Sequence, residues 1–202
     1  MGMVLEVSHV ELGGRHALKL LHAENVGDAE LVARFENEAK IAATMRSEHL
    51  VRVTDMGRLG TGEPFLVMDY LEGADLDQLV ERHGRIPIAT AVAWILQASL
   101  GLAHLHAVGV VHRDVKPSNL FLAREPDGRE IVKVLDFGLA KAPKLAAQRL
   151  TATGSNFGTP QFMAPEQIMS AKTVDPRCDQ HALGLVLYEL LVAEPAFVGE
   201  TA

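Results

Sequence analysis

Over the first third of the chain, apolar and polar positions alternate in short runs. After residue 75 they switch to helical spacing. Met3 to Val10 and His16 to Leu21 are β-type runs separated by Gly13-Gly14, a pattern that predicts a hairpin. Val51 to Gly57 and Pro64 to Tyr70 predict a second pair across Gly60-Thr61-Gly62. Between the pairs, residues 28–46 carry helix-forming composition behind Asp28, a suitable N-cap. Leu31, Phe35, Ala42 and Met45 recur at spacings of three and four and so share a face, with Glu38 in its middle.

The second part predicts a long helix over 88–108, then a loop rich in charged residues over 110–119. Two short strands follow, 119–122 and 131–135, around the turn signal Asp127-Gly128. Residues 137–163 show no steady period and read as a long functional loop, and 179–192 predict a final helix. The Asp75-Leu76-Asp77 stretch reads as a helix start rather than an acidic site. A small β-rich part with one helix ahead of a larger helical part is an α+β arrangement, with Asp69 to Ala74 as the connection.

Charge narrows the partners. The net charge of −7 disfavours nucleic acid or an anionic membrane surface, yet leaves room for a nucleotide in a locally basic pocket. Cys178 is the single cysteine, so no intramolecular disulfide can form, and a reduced, cytoplasmic setting is expected. The apolar run from Ala182 to Ala193 is interrupted by Glu189 and too short to span a bilayer. Gln97, Ser99, His104 and His106 break up residues 90–111, which therefore read as a buried helix of a soluble protein. The N-terminus shows no signal-peptide pattern. His9, His16, His49, His104 and His106 lack metal-ligand spacing with cysteine and read as packing or surface residues.

Three places carry chemistry. A carboxylate in the middle of a packed helix face needs a cation, and Lys19 in the apolar strand His16 to Leu21 is the candidate partner for Glu38. The run His112-Arg113-Asp114-Val115-Lys116-Pro117-Ser118-Asn119 is almost free of aliphatic residues although apolar runs flank it, which packing rarely explains. Val132 to Leu135 then leads into Asp136-Phe137-Gly138, placing a carboxylate at a strand end. Two acidic groups and an Asn in neighbouring loops suit a Mg2+–phosphate site, because Mg2+ takes hard oxygen ligands.

Taken in order, these segments resemble a eukaryotic-like Ser/Thr protein kinase catalytic domain of the bacterial type. The series is Ala17-Leu18-Lys19, Glu38, His112-Arg113-Asp114 with Lys116 and Asn119, Asp136-Phe137-Gly138, Gly158-Thr159-Pro160 and Ala164-Pro165-Glu166. The resemblance implies a bilobal fold, with residues 1–68 as the N-lobe, 69–74 as the hinge and 75–202 as an incomplete C-lobe. It implies transfer of the ATP γ-phosphate to Ser/Thr hydroxyls of proteins, with ATP and Mg2+ as cofactors. By position, Lys19 would hold the α- and β-phosphates, braced by Glu38. Asp114 would orient the substrate hydroxyl and accept its proton, and Lys116 would lie near the γ-phosphate. Asn119 and Asp136 would hold Mg2+. Gly2, Val4, Ala17 and Phe121 would enclose the nucleotide beside Met68, with backbone groups of Asp69 and Leu71 at the adenine edge. Lys116 and Thr159, the latter in the substrate loop, point to Ser/Thr rather than Tyr acceptors. Arg113 before the catalytic Asp implies activation by phosphorylation of the following loop, at Thr151 or Thr153, with Lys141 as a further cation. Self-association for autophosphorylation would follow the same logic.

The resemblance thins at both ends. Met1-Gly2-Met3-Val4 matches only the last part of the family's glycine-rich loop, so the first strand and two glycines are expected to be missing, through a mis-assigned start or a gene remnant. Glu194 to Thr201 resembles the link into the family's later helices, one of which would pair with Glu166; without it a buried Glu166 would destabilise the chain. Asp179 matches the helix aspartate that braces the catalytic loop, while His181 and Ala182 replace the usual aromatic and serine. The alternative expectation is therefore a weak or inactive fragment serving as a nucleotide-binding or interaction module. A small-molecule phosphotransferase of the same broad fold is disfavoured by the Gly-Thr-Pro and Ala-Pro-Glu segments.

Overall fold

The computed structural model describes residues 2–21, 26–136, 160–169 and 174–197. Thr151, Thr153, Thr159 and Lys141 lie outside these residues, as does nearly all of the loop expected over 137–163. The first part is an antiparallel sheet of β1 (Gly2–Ser8), β2 (Arg15–Leu21), β3 (Val53–Arg58) and β4 (Pro64–Asp69), ordered β1-β2-β4-β3. The register sets Val4 opposite Lys19, Lys19 opposite Leu66, and Ala17 opposite Met68. Directly opposed residues share a sheet face, so these five side chains face one way.

Helix α1 (Ala29–Thr44) begins where expected, because the Asp28 carboxylate accepts the backbone N–H groups of Glu30 and Leu31. Its Val32, Phe35 and Ala39 form a small core with Leu21 and Leu66. Burying each large apolar side chain contributes roughly 1.5–3 kcal/mol. Ala42 joins the main core instead, which links the two parts of the molecule below the sheet.

The helical part contains α2 (Leu76–His83), α3 (Ile88–Ala107), α4 (Pro165–Met169) and α5 (Arg177–Val192). A second sheet, β5 (Gly73–Asp75), β6 (Leu120–Arg124) and β7 (Glu130–Val134), lies beside them in that order. Strand β5 occupies the end of the segment expected to be a plain connection. It pairs with β6 through Gly73, whose φ is +145° and whose added Cβ would lie 2.0 Å from the Leu122 carbonyl oxygen. Asp75 then caps α2 by accepting the Gln78 N–H, as expected for a helix start.

Helix α3 departs from expectation. It buries Ala91, Ala98, Leu102 and Leu105, and Gly101 brings its backbone against the His49 carbonyl, where a Cβ would lie at 2.6 Å. Its opposite side, with Ile88, Val92, Leu96 and Leu100, is exposed, because β7 and α5 both pack on one flank. By length and mean hydropathy (1.5) this helix meets the requirement for crossing a membrane, a test that the core helix of a soluble protein also passes. The expectation of a buried Glu166 is also corrected: α4 buries none of its residues and Glu166 is exposed, so no desolvation cost arises there.

Helix α5 contributes Ala182, Leu183, Val186 and Leu190 to the main core. Cys178 is fully buried on it, and burial with the neighbouring Asp179 pushes its thiol up to about 12, so the thiolate is disfavoured. Glu189 is half-buried, and its Oε2 has no hydrogen-bond partner among the described residues. Burial raises its carboxyl, and the Asp77 charge adds to the rise. An acid whose pKa is higher folded than unfolded binds more protons in the folded state, so stability falls as pH rises from about the ordinary value through the raised one. Glu189→Gln is therefore expected to raise the melting temperature at pH 7.5, with the gain vanishing toward pH 4. Thermal denaturation across that range checks this; a gain independent of pH, or a loss at pH 7.5, contradicts it.

Candidate active site

Strand β7 ends at a fixed seat for a carboxylate. The Leu135 N–H donates to the Asn119 carbonyl at 2.9 Å. Val134 is bonded to the 49–51 segment as well: its N–H donates to the His49 carbonyl at 2.9 Å, and its carbonyl accepts the Val51 N–H at 3.2 Å. Asp136, next in sequence, has φ of +52°, a left-handed conformation that Asp tolerates better than most residues. Its Oδ1 lies 2.6 Å from Lys19 Nζ. Lys19 thus reaches from β2 across to the other part of the molecule, a partner the sequence reading does not anticipate. Glu38, its expected partner, lies within α1, but its side chain is outside the described residues. Lys19 and Asp136 line a small cavity with Val51, Val53, Leu66 and Met68.

The loop before β6 is organised by side-chain bonds to its own backbone. His112 is fully buried; its Nε2 donates to the Leu135 carbonyl at 2.8 Å, and its Nδ1 accepts the Asp114 N–H at 3.2 Å. Those two partners fix the ring with its proton on Nε2. Asn119, in the 3-10 turn Pro117–Asn119, donates its amide to the Asp114 carbonyl at 2.7 Å and to Asp114 Oδ2 at 3.1 Å. Lys116 Nζ lies 3.6 Å from the same Oδ2. The structure therefore brings Asp114, Lys116 and Asn119 into one cluster, with Asp136 and Lys19 joined to it through the β6–β7 pair.

Asp179 holds the loop from behind. One of its oxygens accepts the Arg113 N–H at 2.8 Å; the other accepts the His112 N–H at 2.9 Å and the His106 Nε2–H at 2.8 Å. Arg113 has φ of +64°, so this carboxylate anchors a backbone turn that a non-glycine residue adopts only at a cost. Gln167 adds a bond from its amide to the Arg113 carbonyl at 3.1 Å. Sequence reasoning finds Asp179 through its resemblance and misses the partners His106 and Gln167, since neither stands out by spacing. The Arg113 Nε is buried with no hydrogen-bond partner among the described residues.

The residues expected to face the nucleotide are placed as follows. Gly2 starts β1 opposite Leu21, while Val4 and Ala17 lie on the sheet face that carries Lys19. Asp69 ends β4, with its N–H donated to the Arg52 carbonyl at 3.0 Å. Leu71 follows in the segment leading to β5, and Phe121 lies in β6 opposite Asp75.

These residues fit ATP and Mg2+ on the chemistry of the donor set. Asn119 uses its amide nitrogen toward Asp114, which leaves the side-chain oxygen as a hard donor. The Asp136 side chain is about half-exposed. Asn119 and Asp136 would hold the ion, with phosphate and water completing a shell that Mg2+ commonly leaves to them.

Comparison with known proteins agrees with this geometry. The protein kinase domain family matches residues 1–202. The chain is 39% identical over 186 residues to the serine/threonine-protein kinase PknL of Mycobacterium tuberculosis, covering 92% of this chain and 45% of PknL. It is 41% identical over 201 residues to the serine/threonine-protein kinase Pkn1 of Myxococcus xanthus, covering 99% of this chain and 28% of Pkn1. The chain thus spans less than half the length of these curated relatives. Among solved structures, the Mycobacterium tuberculosis PknI kinase domain superposes with a TM-score of 0.74 at 28% identity, over 98% of this chain and 72% of that one. A β-sheet lobe, a helical lobe and the ordered cluster from Lys19 to Asp136 therefore share one explanation: the chain belongs to the protein kinase domain family.

Proposed function

We propose that this chain transfers the γ-phosphate of ATP, with Mg2+, to Ser or Thr hydroxyls of a protein substrate. The observation that carries the reading is the cluster of Asp114, Lys116 and Asn119 beside the Lys19–Asp136 pair. Residues 1–68 and 75–202 act as the lobes and 69–74 as the hinge, with Val4, Ala17 and Phe121 flanking the adenine. Lys19 holds phosphate oxygens, Asp114 orients the acceptor hydroxyl and takes its proton, and Lys116 offers a cation to the transferring group. When bound, Mg2+ supplies neutralising charge to the phosphate oxygens. The Ser/Thr preference draws on Lys116, on Thr159 and on relatives named as serine/threonine-protein kinases. Regulation by phosphorylation at Thr151 or Thr153 draws support from Arg113, whose buried Nε has no hydrogen-bond acceptor among the described residues. The single cysteine supports a reducing, cytoplasmic setting.

The test is direct. The purified 202-residue chain is incubated with Mg-ATP and a general acceptor protein, beside Asp136→Asn, and phosphate is read by intact mass. Phosphate on Ser or Thr with the wild type alone is the expected result. No phosphate with either protein, both folded, rejects turnover and leaves the alternative of an inactive nucleotide-binding module.

A further inference from the structure

Arg15, the first residue of β2, is held from three sides. Its Nε lies 2.7 Å from Glu6 Oε1 on β1, and its Nη1 lies 3.1 Å from Glu72 Oε1 in the segment between the lobes. Its guanidinium carbon stands 3.8 Å from the centre of the Tyr70 ring, a cation–π contact. Tyr70 separates Asp69 from Leu71, the two residues assigned above to the adenine edge. Glu72 is itself tied down, since its carbonyl accepts the Arg124 N–H of β6 at 2.7 Å. Glu6 lies two residues from Val4 on β1 and opposite Ala17, hence on the sheet face that looks into the nucleotide slot. One side chain therefore joins the β1–β2 hairpin, the inter-lobe segment and, through Glu72, the lower sheet.

We propose that Arg15 is a positioning residue for the nucleotide, setting the distance between the β1–β2 hairpin and residues 69–71 so that the adenine slot is formed before ATP arrives. This inference rests on the proposed ATP-binding reading. An isolated exposed ion pair contributes little, and each of these partners is roughly half-exposed or more. Here one cation meets two carboxylates and a ring, so the geometry of three segments depends on it. The hydrogen bond from Arg15 holds the Glu6 carboxyl below its usual range, with a smaller contribution from the Tyr70 hydroxyl. A preformed slot changes nucleotide affinity rather than the chemical step, because the ordering is done before binding.

The experiment measures Mg-ATP affinity by equilibrium titration of the 202-residue chain, with KM for ATP and kcat alongside. Arg15→Ala is expected to weaken ATP binding and raise KM by about three- to tenfold, with kcat changed by less than about twofold. Tyr70→Phe keeps the ring face and should stay close to wild type in affinity. Tyr70→Ala should approach Arg15→Ala. If Arg15→Ala fails to fold, the Glu6→Gln/Glu72→Gln double variant carries the same expectation. Unchanged affinity in Arg15→Ala, or a fall in kcat at constant KM, overturns the inference while ATP binding by the wild type stands. Absence of nucleotide binding by the folded wild type overturns the ATP reading and this inference with it.

Discussion

Asp114→Asn is expected to lower phosphate transfer by about 10²–10⁴-fold while leaving the chain folded, since a positioned general base contributes on that scale. The backbone bonds that shape the loop survive the change. Asn119 still donates to the residue 114 carbonyl, and the residue 114 N–H still donates to His112 Nδ1. What disappears is the carboxylate charge facing Lys116 Nζ at 3.6 Å, and with it the group able to take a proton. An amide of the same shape offers no such acceptor, so the loss falls on the chemical step rather than on ATP binding. Single-turnover phosphate transfer at saturating Mg-ATP, with circular dichroism as the control for folding, measures it. Retention of more than about a tenth of the wild-type rate would remove Asp114 from the role of base.

How far the molecule is legible from its sequence depends on how local the signal is. Helix α1 is legible because its cap, Asp28, and its buried Phe35 and Ala42 follow one another at helical spacing. Both hairpins of the first sheet are legible because glycine turns separate β-type runs. Strand β5 is not: three residues, Gly73–Asp75, are too few to show alternation, and only pairing with β6 makes them a strand. The exposed row on α3 escapes for the opposite reason, since an apolar helix looks buried on every side until its single packed flank is known. The candidate site divides the same way. His112 to Asn119 announces itself as a polar run between apolar ones. The contacts that orient it join residues 73 positions apart for His106–Asp179 and 117 apart for Lys19–Asp136, distances over which no periodicity speaks. The Arg15–Glu72 bond, 57 positions apart, belongs to the same class.

Asp179→Ala is expected to be the most destabilising single change at the site, lowering unfolding free energy by about 3–5 kcal/mol, the cost of removing one partner from a buried, hydrogen-bonded charge network. Asp179 is 1% exposed and accepts from two backbone N–H groups and from His106. Alanine leaves the His112 and Arg113 N–H groups without an acceptor, at roughly 1–3 kcal/mol for each buried donor. It also releases Arg113, whose φ of +64° is held against its own preference by one of those bonds. Against a total stability of about 5–15 kcal/mol the loss is large, and a fall in Tm of about 10 °C follows for a chain of this size. His106→Ala removes one donor and leaves both backbone bonds intact, so it should cost about 1–2 kcal/mol. Urea denaturation of the two variants separates a brace from a bystander: equal losses would mean that Asp179 acts only through His106. A larger loss for Asp179→Ala would tie the stability of the helical lobe to the loop that carries Asp114, because the carboxylate from α5 is what holds that loop's backbone in place.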